Sequence, residues 1–357
     1  MGRTRKNTII GMIFIISVLS FGINFSMNQV VLDSTASVTR SNSQNYTPRN
    51  PIYISNDAGL AAVATSGMGT ASDPYIITGW NISESLANGI SIQRTTNYFR
   101  IQNCWINSAS SGIEVDNVAP GTATITNNTC KNNKIGISLG ASGSSTITDN
   151  ILSNNNVDGI YLEYSGFSII ANNTFNNCGI YLGDSNSSIV VNNTCNGNLG
   201  YGIRLWESSH STITNNSCYN NGNGIELDYS DFNVILLNGL RQNGGYGIEV
   251  SETSDNNSIH HNSFVQNGAQ ACDDGSYNQW YDEKTLEGNY WSDYSGTGSY
   301  IIAGAAGALD LYPSGDTPEP TSIGIGFNDL IFLLVRITLF LGILGVLIVS
   351  LFLNRNK

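Results

Sequence analysis

Four residues, Arg204, Glu226, Asp228 and Glu249, have the types and spacing that acid–base chemistry needs, and each stands one or three residues after the isoleucine of a Gly-Ile pair. Carboxylates one repeat apart can serve as an acid/base pair on a glycosidic bond or as ligands for a cation, with Arg204 as base or electrostatic partner. Equivalent positions of neighbouring repeats carry Tyr161, Glu163, Tyr164, Tyr181, Asp184, Trp206, Glu207 and Tyr229. Aromatic faces stack on sugar rings and carboxylates hold hydroxyls, so the set reads as a saccharide-binding strip. The same residues would equally furnish the solvated outer face of a stack of repeats.

Other chemistry has little support. The three histidines include the adjacent pair His260-His261, which a strand would point to opposite sides, and no C-x-x-C pair is present. Zinc, haem and copper sites therefore lack a ligand pattern, and neither a Gly-rich phosphate cradle nor a Ser/Cys-His constellation is visible. No cofactor is expected from the residues themselves. Nucleic acid is excluded as a partner, because 15 basic residues in a chain of net charge −12 cannot form a phosphate-binding surface.

The elements that must position the strip follow from a repeat. Gly-Ile recurs at residues 89, 112, 136, 159, 179, 202, 224 and 247, at intervals of roughly 20 to 24 residues. An aliphatic residue follows each Ile by two positions (Ile92, Val115, Leu139, Leu162, Leu182, Leu205, Leu227, Val250), the period of a strand with those side chains inward. A second apolar column (Ile101, Ile125, Ile147, Ile170, Val190, Ile213, Ile235, Ile259) and a third (Ile106, Cys130, Leu152, Phe175, Cys195, Cys218, Leu240, Phe264) complete each repeat. Three inward columns predict three short strands per turn, hence an all-β solenoid of about 8–10 stacked coils over residues 51–271.

Composition agrees. Only 12% of residues are charged, whereas 47 are Asn and 38 Gly. Asn falls at fixed slots, three residues after the second column (Asn128 to Asn262, with Cys104 in the first coil) and eight after it (Asn133 to Asn267, with Ala109 and Cys178 as exceptions). Identical amides stacked roughly 4.8 Å apart can bond along the stack and satisfy buried turn backbone. Of the six cysteines three sit in the third column, which favours buried thiols over disulfides. A short helix through residues 58–64, capped by Asn56, is expected to lid the first coil, and Trp280, Tyr281, Tyr290, Trp291 and Tyr294 to lid the last, within a cap over 272–312.

The ends speak to placement. Residues 1–26 carry a basic leader and an apolar run, the layout of a signal peptide or signal anchor, followed by a polar linker over 27–50. After a second linker, 313–329, the apolar stretch 330–353 is long enough to span a membrane, and the basic tail 354–357 would remain cytoplasmic. The expected partner at this end is the membrane, with the β-helix outside the cell.

The phrases Gly159-Ile160-Tyr161-Leu162 with Ser165, Gly202-Ile203-Arg204-Leu205 with Ser208, the recurring Ile-x-x-Asn, and the tail Gly288-Asn289-Tyr290-Trp291-Ser292-Asp293-Tyr294 resemble right-handed parallel β-helix repeat proteins of the NosD type. The resemblance covers roughly residues 51–312 and implies the pectate-lyase-like superfold of carbohydrate-binding and sugar-hydrolase domains. Relatives often carry a Ca2+-binding loop after the tail phrase, where this chain has Ser295-Gly296-Thr297-Gly298-Ser299-Tyr300. Three functions follow as expectations: a membrane-anchored extracellular glycan binder, a polysaccharide lyase or glycoside hydrolase using the same strip, or a structural envelope scaffold.

Overall fold

The computed structural model describes residues 46–315 apart from 84–86 and 108. The expected leader, membrane segment and tail lie outside the described residues, and among the described residues no helix is long and apolar enough to cross a membrane. The chain winds into a right-handed parallel β-helix of about nine turns, in which three parallel sheets of 11, 10 and 9 strands receive one strand each per turn. One coil illustrates the cycle: Asp158–Glu163 in the 10-stranded sheet, Ile169–Ala171 in the 9-stranded sheet and Thr174–Asn176 in the 11-stranded sheet.

The three apolar columns line the interior in register. Ile160 pairs with Ile180 and Ile180 with Ile203, Ile170 with Val190, and Phe175 with Cys195. All are fully buried. Cys195 pairs with Cys218, and all six cysteines are free and buried. Burial pushes the thiols of Cys104 and Cys178 up to about 11, as befits small core side chains.

Between the sheets the backbone is satisfied by side-chain ladders. Each amide from Asn150 to Asn262 accepts from the backbone and side chain of the preceding coil's Asn, as when Asn193 N and Nδ2 donate to Asn216 Oδ1 at 2.9 and 3.0 Å. Asn289 of the tail phrase receives the last rung from Asn262, then donates its backbone N–H to Asp310 at 2.7 Å. Ser165, Ser185, Ser208 and Ser230 form a matching hydroxyl ladder at another corner. Asn residues beside the ladder have a different task. Asn172, Asn192 and Asn215 adopt left-handed backbone, as do three further bends in the coil of Ile160, at Tyr164, Phe167 and Asn177. Asn enters this region more readily than branched or bulky residues do, so the composition follows from the bends as well as from the ladders.

The Gly of each Gly-Ile pair has a steric cause. A Cβ on Gly224 would lie 2.4 Å from the carbonyl oxygen of Gly247 and 3.0 Å from Leu240 Cδ2. The sheet pairing passes over this residue: Ile135 pairs with Asp158 and Ile137 with Ile160, with no pairing of the glycines between them. Alternation slips by one at the glycine, so residues two before the Ile, such as Tyr201 and Asn223, lie with the outward side chains, Tyr201 beside Arg204 and Asn223 beside Glu249.

Both ends are covered. Asn56 accepts from Gly59 N at 2.8 Å and caps the helix Asp57–Val63, whose Leu60 is fully buried. The first strand, Thr47–Pro48, pairs with Trp80 and Asn81, so the sheet begins inside the stretch read as linker. At the far end Phe264, Trp291 and Tyr300 stack face to face at 4.1 Å spacings, and Asp273 and Asp310 receive the indole N–H groups of Trp280 and Trp291. With both indoles buried, this aromatic cluster seals the core.

Candidate functional site

The outward side chains of the 10-stranded sheet form two columns. Tyr161, Tyr181, Arg204, Glu226 and Glu249 are successive partners in one, and Glu163, Gly183, Trp206 and Asp228 in the other. Parallel stacking brings like positions together. The Tyr161 and Tyr181 rings stack at 4.9 Å with 7° between planes, and the Tyr161 hydroxyl donates to Glu163 Oε2 at 3.2 Å. Partial burial, then the Glu163 charge, pushes the Tyr161 phenol up to about 12, so it remains a donor at physiological pH.

Arg204 is the hub of the next segment. Its Nη2 donates to Asp228 Oδ2 at 3.3 Å, its Nε lies 3.2 Å from Glu226 Oε1, and its guanidinium carbon sits 5.2 Å from the Trp206 ring. The Nε contact is an ion pair by distance without hydrogen-bond alignment. The two carboxylates engage the guanidinium together, which is the arrangement of an electrostatic partner. Asn223 Nδ2 donates to Glu249 Oε2 at 2.6 Å and lies 3.5 Å from Glu226 Oε2. Burial, then the neighbouring Glu226 charge, raises the Glu249 carboxyl above its ordinary value.

Four strip residues border the face rather than lie on it. Tyr164, Asp184, Glu207 and Tyr229 occupy left-handed bends, with φ of 53°, 45°, 51° and 49°, that turn the chain off the sheet. Of these, Tyr229 returns to the face, its ring 5.3 Å from that of Trp206.

Sequence reasoning missed Asp158, Tyr201 and Asn223, all two positions before an Ile and outward because of the slip at the glycine. Asp158 is 2% exposed and accepts from the Tyr201 hydroxyl at 3.1 Å. Burial pushes its carboxyl up to about 6, against the opposing pull of the Tyr201 hydrogen bond and the Arg204 charge.

The histidines correct another expectation. His261 is left-handed, φ 57°, which swings its ring beside that of His260, and the two Nδ1 atoms lie 2.6 Å apart. His261 Nε2 meets Glu287 at 2.8 Å.

Fold and surface together define a right-handed parallel β-helix repeat protein. Two family models match within it: residues 154–296 match the family described as "Periplasmic copper-binding protein (NosD)" and residues 68–198 match "Right handed beta helix region". No curated protein matches the sequence. Among solved structures, the Dettilon tailspike protein (gp208) aligns at 14% identity over 69% of this chain, TM-score 0.45, and this chain spans 61% of the tailspike chain. The periplasmic alginate epimerase AlgG aligns at 13% identity over 78% of this chain and 84% of its own, TM-score 0.39. The Azotobacter vinelandii mannuronan C-5 epimerase AlgE4 A-module aligns at 13% identity over 76% and 97%, TM-score 0.39.

The residues present do not fit the copper in the family's description. The two facing Nδ1 atoms of His260 and His261 are at hydrogen-bond distance, too close to admit an ion between them, and His210 stacks on Phe232. Among the described residues no three His, Cys, Asp or Glu side chains converge as a metal site. Beside the segment where relatives carry a Ca2+ loop, Asp293 is engaged by the Tyr300 hydroxyl and by Gln270.

Proposed function

We propose that the outward face of the 10-stranded sheet binds an extracellular polysaccharide built of neutral or amino sugars. The observation that supports this reading is the pairing of aromatic surface with a one-sided charge. Tyr161, Tyr181 and Trp206 offer rings along successive coils, while Glu163, Glu226, Asp228 and Glu249 face them with Arg204 as the single cation in these columns. With Arg204 already paired twice, a polyuronate would meet uncompensated carboxylates, whereas hydroxyl-rich or amine-bearing sugars find acceptors. On this reading the domain works outside the cell, held to the membrane by residues 330–353.

A hydrolase is the second reading, favoured by the raised Glu249 carboxyl beside Glu226. One experiment serves both. The full-length chain is tested for retention on neutral, amino-sugar and polyuronate polysaccharides, with reducing ends measured after incubation. Retention on neutral or amino-sugar polymers without new reducing ends is expected. New reducing ends from neutral or amino-sugar polymers that vanish in Glu249→Gln would establish the hydrolase instead, and retention confined to polyuronates, or none, would overturn both readings.

A further inference from the structure

One coil of the helix is cut short, and the cut opens a cleft. Cys178 is followed by Ile180 after two positions, whereas Asn155 precedes Ile160 and Asn198 precedes Ile203 by five. The strand of this coil, Ile180–Gly183, consequently lacks the outward leading residue that its neighbours Asp158–Glu163 and Tyr201–Trp206 possess. Tyr201 reaches across the missing position to Asp158, two coils away. The turns 154–158 and 197–201 stand on either side of a cleft of about 480 Å3, within the range of small-ligand sites, roughly 300–1,000 Å3.

The cleft is polar within and apolar at its rim. Asn198, a lining residue only 7% exposed, donates to Asn221 as its ladder requires, yet its buried Oδ1 accepts no hydrogen bond. The slot of the short coil holds Cys178, whose side chain brings no amide, and its backbone N–H does not bond Asn198 in the way that those of Cys104 and Ala109 bond Asn128 and Asn133. Elsewhere in the stack the corresponding oxygens, such as those of Asn155 and Asn221, are taken. An unmet buried acceptor is costly and favours a ligand that brings a donor. Asp158 and the Tyr201 hydroxyl supply further polar partners, and Val157 and Leu199, 52% and 102% exposed, stand bare beside them. Asp158 shares a strand with Tyr161, so the cleft opens at the margin of the aromatic strip.

We propose that this cleft is a subsite for a single sugar unit branching from the polymer that lies on the strip, its hydroxyls directed to Asn198 and Asp158 and its apolar face against Val157 and Leu199. The inference rests on the polysaccharide-binding reading and adds to it a preference for branched chains. A linear polymer fills the strip and leaves the cleft's acceptor unmet, whereas a branch satisfies both.

Gly200 provides the test, because a Cβ there has no atom within 4 Å and its backbone is not left-handed. Gly200→Trp should fill the mouth of the cleft without disturbing the fold, which an unchanged melting temperature confirms. Full-length wild type, Gly200→Trp and the rim variant Leu199→Ser are compared for affinity to galactomannan, which carries single-sugar branches, and to linear mannan. The expected result is a branched-over-linear preference of tenfold or more in wild type, abolished by Gly200→Trp and reduced several-fold by Leu199→Ser, with linear affinities unchanged. Equal affinity for branched and linear chains, or a preference that both variants keep, overturns the subsite and leaves the strip reading standing. Failure of wild type to bind any polysaccharide overturns both.

Discussion

Replacing Asn216 by Leu places an apolar side chain of similar volume in the middle of the Asn ladder, and the structure specifies what is lost. Asn216 Oδ1 accepts from the backbone N–H and side-chain amide of Asn193, while its Nδ2 donates to Val190 O at 2.9 Å, Thr214 O at 3.1 Å and Asn238 Oδ1 at 3.0 Å. Some of these groups keep other partners: Asn193 Nδ2 also bonds Ile170 O, Thr214 O also accepts from Asn192 N, and Asn238 Oδ1 still receives Asn216 N. The Asn193 N–H keeps none, and Val190 O loses its side-chain donor. With one buried N–H left without a partner, at about 1–3 kcal/mol, the expected loss is on the order of 1–3 kcal/mol. Urea unfolding of the full-length chain followed by circular dichroism measures it, with Asn215→Ala as the comparison. Asn215 is left-handed at φ 54° and bonds only Asn192 Oδ1 through its side chain, so its change should cost about 1 kcal/mol. Equal losses for the two variants would refute the distinction between ladder and bend.

Two further outcomes follow from local geometry. Because the folded Asp158 holds its proton up to about pH 6, above the unfolded value, the folded state binds the extra proton between roughly pH 4 and 6 and stability falls as pH rises through that window. Asp158→Asn should remove this slope, matching wild type near pH 3.5 and exceeding it by on the order of 1–3 kcal/mol at pH 7.5 in pH-dependent unfolding; a constant difference across pH would contradict the assignment. Gly224→Ala should lower stability by roughly 2–4 kcal/mol because its Cβ meets the next coil's carbonyl, whereas Gly239→Ala, with nothing within 4 Å, should be nearly neutral, and identical thermal melts for the pair would count against the steric account.

Why some features were legible in the sequence and others were not has physical causes. Period-two alternation after each Gly-Ile pair and the fixed spacing of the next two columns specify three inward rows, so Ile203, Ile213 and Cys218 could be placed in the core from their positions alone. The ladder was legible because an amide is useful only if its neighbour is one too. Bends and ladder rungs looked alike, however, since both select Asn. Alternation also misled at one point: it places Asp158 and Tyr201 inward, and only the close approach of the next coil at the intervening glycine shows why the period slips there. Their contact spans 43 residues and depends on a missing strand position, which no local pattern reports. The histidine pair failed for a related reason, because a left-handed residue at the end of a strand redirects a side chain that simple alternation sends away.

The most direct test of the polysaccharide-binding face is the dissociation constant of the full-length chain for the neutral polysaccharide it retains best, compared across wild type, Tyr181→Ala, Trp206→Ala and Tyr219→Ala. Tyr219 belongs to the 11-stranded sheet, where it packs by Arg241, and serves as an aromatic control away from the strip. If the strip stacks on sugar rings, Tyr181→Ala and Trp206→Ala each weaken binding by roughly 5- to 100-fold, equivalent to about 1–3 kcal/mol, while Tyr219→Ala leaves it unchanged and all four proteins melt alike. Affinity unaffected by both strip variants, or lost equally in the Tyr219 control, would contradict the assignment of this face.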